Sequence, residues 1–131
     1  MLVRAALAHV QFETIHPFLD GNGRVGRLLI TLLLCHAGVL REPLLYLSLH
    51  LKQNRAAYYE LLGAVRRDGD WEAWLAFFFV GVRDTAQAAV STAERLAEMF
   101  RADRSRIEPM GRRVGSALRV HEELKARPIT S

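Results

Sequence analysis

The apolar run from Leu28 to Leu40 is the strongest single constraint on what this chain can fold into. At roughly 13 residues it falls short of the roughly 20 that a membrane-spanning helix needs, and His36 interrupts it. With the residues from Arg24 onward it reads as a helix apolar on almost every side, ending near Gly38, and a helix of that kind belongs at the centre of a core. The 131 residues, 50% of them hydrophobic and 24% charged, suffice for one such core and leave no room for two ordinary domains.

Around that segment the pattern is helical throughout. Met1 to Ile15 predicts a helix with Leu7, Val10 and Ile15 near one face beside Phe12, and Pro17 disfavours helical geometry at His16. After Pro43, Ser48 is read as the N-cap of a short turn. Asn54 starts a helix through Arg67, and Asp68-Gly69-Asp70 closes it, with Asp70 placed to cap the next. That next helix runs from Trp71 to about Arg104, with Leu75, Phe78, Val82, Ala86, Ala89, Ala93, Leu96 and Phe100 as a stripe that needs a partner face. Pro109 breaks the pattern. Met110 to Arg127 reads as a last, basic helix with Val114, Leu118, His121 and Leu124 along one side, stopped by Pro128. No strand, repeat or low-complexity segment is found, so the expected class is all-α, with residues 1–108 as the functional domain and 109–131 as a basic tail.

Charge is unevenly placed. Residues 1–100 carry 10 basic and 10 acidic side chains, whereas 8 basic residues face 4 acidic ones from Arg101 onward, so the tail holds the whole net charge of +4. Any attraction to DNA is therefore expected there. The single cysteine, Cys35, excludes a disulfide framework and a cysteine-ligated zinc site, and is read as a buried thiol. Met1-Leu2-Val3-Arg4 does not resemble a secretory leader, so a cytoplasmic setting is expected, with no membrane partner.

The loop His16-Pro17-Phe18-Leu19-Asp20-Gly21-Asn22-Gly23 carries the chemistry. Gly21-Asn22-Gly23-Arg24-Val25-Gly26 matches the three-glycine dinucleotide pattern, but no strand precedes it and no lysine with Ser/Thr follows as in a phosphate loop. The physics those motifs share does apply: glycines let backbone amides converge, and a helix N-terminus adds partial positive charge. Arg24 and Arg27, three apart in the first turn, oppose the helix dipole unless an anion is present, which points to phosphate. Asp20 beside phosphates calls for an intervening cation, and its hard oxygen suits Mg²⁺. Imidazole titrates near neutrality, so His16 is read as the base that abstracts a hydroxyl proton. Pro17 and Phe18 are read as scaffold, the ring anchoring the loop in the core.

Other groups have plainer readings. His9 and Glu13, spaced i, i+4, form a packed polar pair more readily than a metal site, and His36, His50 and His121 have no companions in sequence. Tyr58-Tyr59 and the group Trp71, Trp74, Phe77-Phe78-Phe79 are read as core aromatics.

His16 through Arg27 resembles the complete active-site motif of the Fic (Fido) family, and the similarity continues through Tyr46-Leu47-Ser48, Tyr58-Tyr59 and Gly69-Asp70-Trp71 over most of residues 5–100. The resemblance implies a Fic-type helical bundle with the active-site loop between two core helices, and transfer of AMP from ATP to a Tyr, Thr or Ser hydroxyl of a target protein, releasing pyrophosphate. It assigns His16 as the catalytic base and Asp20 as the Mg²⁺ ligand. Phe18, Gly21, Asn22, Gly23, Arg24 and Arg27 become the nucleotide-binding set. Gly23 favours nucleotide transfer over the kinase activity of relatives with lysine there, with phosphocholine or another nucleotide as variants.

The family's preceding helices and β-hairpin flap are expected to lie outside these 131 residues, and its inhibitory Ser/Thr-x-x-x-Glu helix has no match, since Ser91 is followed by Glu94 one position early. Arg127 to Ser131 is expected to lead into an absent winged-helix domain, and a homodimer is compatible with the family. Two alternatives stand beside the enzyme: a regulatory module tethered to nucleic acid through the tail, and a catalytically incompetent fragment.

Overall fold

The structure, a computed structural model, describes residues 1–43 and 45–127. Its α-helices are α1 (Leu2–Ile15), α2 (Asn22–His36), α3 (Leu47–Gln53), α4 (Arg55–Asp68), α5 (Trp71–Ile107) and α6 (Val114–Ala126), with a turn of 3-10 helix at Gly111–Arg113. Among the described residues there is no strand, so the protein is all-α, as its periodicity implies. None of these helices is long and apolar enough to cross a membrane. The chain divides into two compact units, Met1–Ala89 and Val90–Ser131.

The first unit is built on α1 against α2. The buried face of α1 is Ala5, Ala6, His9, Val10 and Glu13, a set of small and polar residues, whereas Leu7 and Ile15, expected on the inner face, are exposed. Close approach is the reason. Gly26 of α2 faces α1, and a Cβ there would collide with Glu13 Oε1 and lie 3.1 Å from Phe12 Cδ1, so the two backbones can meet only with small residues at the contact. The core is completed by Ile30 and Leu34 of α2, Leu47 and Leu51 of α3, Tyr58, Leu62 and Val65 of α4, and Trp74 and Phe78 of α5.

Helix α2 is not enclosed on every side. Its buried residues, Asn22, Gly26, Ile30 and Leu34, form a single row at steps of four, while Leu28 and Leu32 each remain 54% exposed. Hydropathy states what a helix could bury, and the neighbours present decide what it does bury. The same holds for α5: Trp74, Phe78 and Gly81 are buried, but Ala86, Ala89, Ala93 and Leu96 of the expected stripe are exposed. Cys35 is half-buried rather than buried.

Helix ends follow local chemistry in part. Gly69 closes α4 in the left-handed region at φ 70°, and the Ala73 amide donates to Asp70 Oδ1 at 3.1 Å, so Asp70 caps α5 as its position implies. Ser48 is not a cap. It lies in the first turn of α3, whose N-cap is Tyr46 with no side-chain bond.

In the second unit, the Phe100 and His121 rings meet in a T-shape at 5.8 Å between centroids, and Lys125 Nζ stands 5.8 Å from the centre of the Phe100 ring. The basic helix begins at Val114, not Met110, because Gly111–Arg113 takes the tighter 3-10 turn. The stop expected at Pro128 and the linker expected through Ile129-Thr130-Ser131 lie outside the described residues.

Candidate active site

His16 ends α1 in the left-handed conformation, φ 50° and ψ 57°, and is the one non-glycine with positive φ among the described residues. Its amide donates to Phe12 O at 3.0 Å, closing the last turn, and Pro17 prevents the helix from continuing. Arg66 of α4 bonds the turn of α1 just before His16. The Arg66 Nη2 donates to Glu13 O at 2.9 Å and its Nε to Thr14 Oγ1 at 3.2 Å, which places a cation on the carbonyl end of α1.

Across the loop, Asn22 is the fastener. Its Oδ1 accepts from the Phe18 amide at 2.9 Å and its Nδ2 donates to the Phe18 carbonyl at 2.5 Å, and the residue is buried. Phe18 is thus held by its backbone. The residue stays 52% exposed, its ring 6.3 Å from that of Phe12, so the expectation that the ring anchors the loop in the core is corrected.

Helix α2 starts at Asn22, two residues before the expected Arg24, with Gly21 as N-cap at φ 83°. Residues that lack a Cβ at Gly21 and Gly23 leave room for the arginines that follow. A Cβ at Gly23 would lie 3.1 Å from Arg27 Nη1 and one at Gly21 3.5 Å from Arg24 Nη2, so both guanidiniums fold back over the first turn. The amides of Asn22 and Gly23 have no acceptor within the helix, as at any helix start, and open on the same side as partial positive charge. Asp20 is exposed and meets Arg24 at 3.4 Å.

Beside this helix start opens a cleft of about 550 Å³. Arg24 and Arg27 of α2, Lys52 at the end of α3 and Arg55 at the start of α4 line it, together with Tyr46 and Tyr59. Arg55 sits over the Tyr59 ring, 5.5 Å from its centre. His16, Phe18 and Asp20 do not line the cleft; they stand on an exposed loop. Sequence reasoning missed Lys52 and Arg55, and a short-range signal for them did exist: two cations three apart across the α3–α4 junction, with Tyr59 one turn on.

Beneath the site lies a buried polar network. His9 Nδ1 donates to the Gly26 carbonyl at 2.9 Å, since a carbonyl can only accept, and its Nε2 then accepts from the Tyr58 hydroxyl at 2.9 Å. Burial above all, with Arg27 nearby, lowers the His9 pKa to about 4, so the ring is neutral. Burial, reinforced by the Glu13 carboxylate, pushes the Tyr58 hydroxyl above its ordinary range and keeps it a donor. His9 and Glu13 are both buried but do not bond each other, and Glu13 Oε1 has no partner among the described residues. The described residues hold no group of three or more His, Cys, Asp or Glu that could bind a metal.

Comparison with known proteins bears on this loop. Residues 1–34 match the Fic/DOC family. The chain is 42% identical over 73 residues to "Protein adenylyltransferase Fic" of Drosophila grimshawi, a stretch that is 56% of this chain and 14% of that protein. The proteins of the same name from Drosophila erecta and Drosophila ananassae are also 42% identical over 73 residues, in each case 13% of their length. The match therefore spans only a small part of these relatives. Over its helix–loop–helix at residues 1–34, the chain is similar to the Fic/DOC family.

Proposed function

We propose that this chain carries the transfer loop of a protein adenylyltransferase, which moves AMP from ATP to a hydroxyl side chain of a target protein. The observation that supports this reading best is the loop itself. A histidine in left-handed geometry stands at one end, and a helix start roofed by Arg24 and Arg27 stands at the other, eight to eleven residues on. The adenylyltransferase relatives supply the reaction class.

In this reading His16 accepts the proton of the target hydroxyl as its oxygen bonds to the α-phosphorus. The bond from that phosphorus to the bridging oxygen breaks, and its electron pair leaves with pyrophosphate. The amides of Asn22 and Gly23, with Arg24 and Arg27, hold the phosphate oxygens, and Asn22 keeps the loop in shape through Phe18. Phe18 borders the nucleotide. Most of the rate advantage of such a site comes from positioning and charge neutralisation, which glycine-framed amides and guanidiniums provide.

Asp20 fits Mg²⁺ as a single hard-oxygen ligand: it is exposed, and its one ion-pair partner is Arg24. With no other cluster of acidic or histidine ligands among the described residues, nucleotide oxygens would complete the ion's shell. When bound, the ion neutralises charge on the diphosphate. A cytoplasmic setting belongs to the same reading.

The test is labelling of proteins in an extract by the chain with ATP radiolabelled at the α-phosphate. Signal is expected with the unaltered chain, and His16→Ala is expected to lower it by about 10²-fold or more. Equal labelling by His16→Ala, or none by the unaltered chain, overturns the proposal.

A further inference from the structure

The cleft beside the loop is more strongly cationic than a motif-bound phosphate requires. Arg24 and Arg27 reach it from α2, Lys52 from α3 and Arg55 from α4, and no acidic side chain lines it. Of the four, only Arg24 has an ion-pair partner among the described residues, Asp20 at 3.4 Å, and that pair is highly exposed. Like charges brought together by three separate helices repel one another, and a bound polyanion relieves that repulsion.

We infer that the cleft is a polyphosphate site, in which Lys52 and Arg55, outside the loop motif, share the phosphate chain with Arg24 and Arg27. Three observations favour a phosphate chain over a single anion. The cleft's volume, about 550 Å³, is that of a site for a ligand of nucleotide size. Four cations line it, and one phosphate does not carry enough charge to neutralise them all. Arg55 is already held over the Tyr59 ring at 5.5 Å, so little side-chain freedom remains to be lost on binding. Guanidiniums bind phosphate oxygens in pairs, and the Lys52 ammonium acts as a point charge.

The consequence for reaction rests on the adenylyl-transfer reading. As the bond to the α-phosphorus breaks, negative charge grows on the departing pyrophosphate, and Lys52 and Arg55 stabilise it there.

The experiment is calorimetric titration of the 131-residue chain with inorganic tripolyphosphate, a non-hydrolysable ATP analogue with Mg²⁺, and AMP. It compares the unaltered chain with Lys52→Ala/Arg55→Ala, Arg55→Lys and Arg27→Ala, each checked for helix content by circular dichroism. The double variant is expected to bind tripolyphosphate and the ATP analogue about tenfold or more weakly and AMP unchanged, with Arg55→Lys between. The unaltered chain is also expected to lose tripolyphosphate affinity more steeply with salt than the double variant does.

Tripolyphosphate binding within twofold of the unaltered chain in the folded double variant overturns the inference, as does no binding of tripolyphosphate by the unaltered chain. If the ATP analogue binds and is lost in Arg27→Ala alone, the transfer reading stands and this inference fails. If tripolyphosphate binds through Lys52 and Arg55 but the ATP analogue does not, the polyphosphate site stands and the transfer reading fails.

Discussion

His9 is fully buried between three helices, where imidazole can persist only in the form its neighbours bond. Gly26 O requires a proton on Nδ1 and the Tyr58 hydroxyl a lone pair on Nε2, so the folded state selects the neutral ring. Unfolded, the ring takes a proton near pH 6.5; folded, burial delays this to about 4. Between those values the unfolded chain binds more protons, so this contribution is fully present above the unfolded pKa and is lost as pH falls toward 4. About 2 kcal/mol is expected to disappear between pH 7.5 and pH 5. Urea unfolding at both pH values should show this loss in the unaltered chain and a smaller one in His9→Gln; equal losses would count against it. The i, i+4 spacing of His9 and Glu13 is visible in sequence, but their partners are not, because Gly26 and Tyr58 reach His9 only once α2 and α4 have packed. The loop residues differ: His16, Asp20, Arg24 and Arg27 share a short stretch of chain, so local geometry already keeps them near one another.

At the scale of elements, the end of α1 depends on α4. Arg66 donates to both the Glu13 carbonyl and the Thr14 hydroxyl, and supplies a donor that the last turn of a helix lacks, as a cation favoured by the dipole. Arg66→Ala is expected to lower stability by about 1–3 kcal/mol in chemical denaturation. Arg66→Lys should recover only part, because an ammonium cannot reproduce a two-pronged planar donor. Full stability in Arg66→Ala would show that α1 ends unaided. Boundaries set by local chemistry, such as Gly69 and Asp70, were legible in the chain, since a left-handed glycine and a capping carboxylate act within a few residues. Ser48 misled for the same reason in reverse: a residue with capping chemistry lies inside α3, whose start is set where Leu47 enters the core.

At the scale of the molecule, the two units differ in how much they bury. Met1–Ala89 holds the apolar core, whereas among the described residues of Val90–Ser131 only His121 is buried, with neither ring nitrogen hydrogen-bonded. Arg104, Lys125 and Arg127 there are set against Glu108, Glu122 and Glu123. Exposed ion pairs add little stability. Native-state hydrogen exchange should therefore find the amides of α6 opening well below the energy of those in α2 and α4; uniform protection would contradict this.

The all-α class, the helix order and the adjacency of the loop residues were determined by the chain alone, because helical periodicity and glycine or proline geometry operate over a few residues. Only the tertiary structure decided which apolar faces are covered and which distant cations join the site. Leu28 and Leu32 are as apolar as Ile30 yet stay exposed, and Lys52 and Arg55 join Arg24 and Arg27 in lining a cleft that exists only when three helices pack. Burial and charge clustering are properties of the packed neighbours, which no local pattern contains.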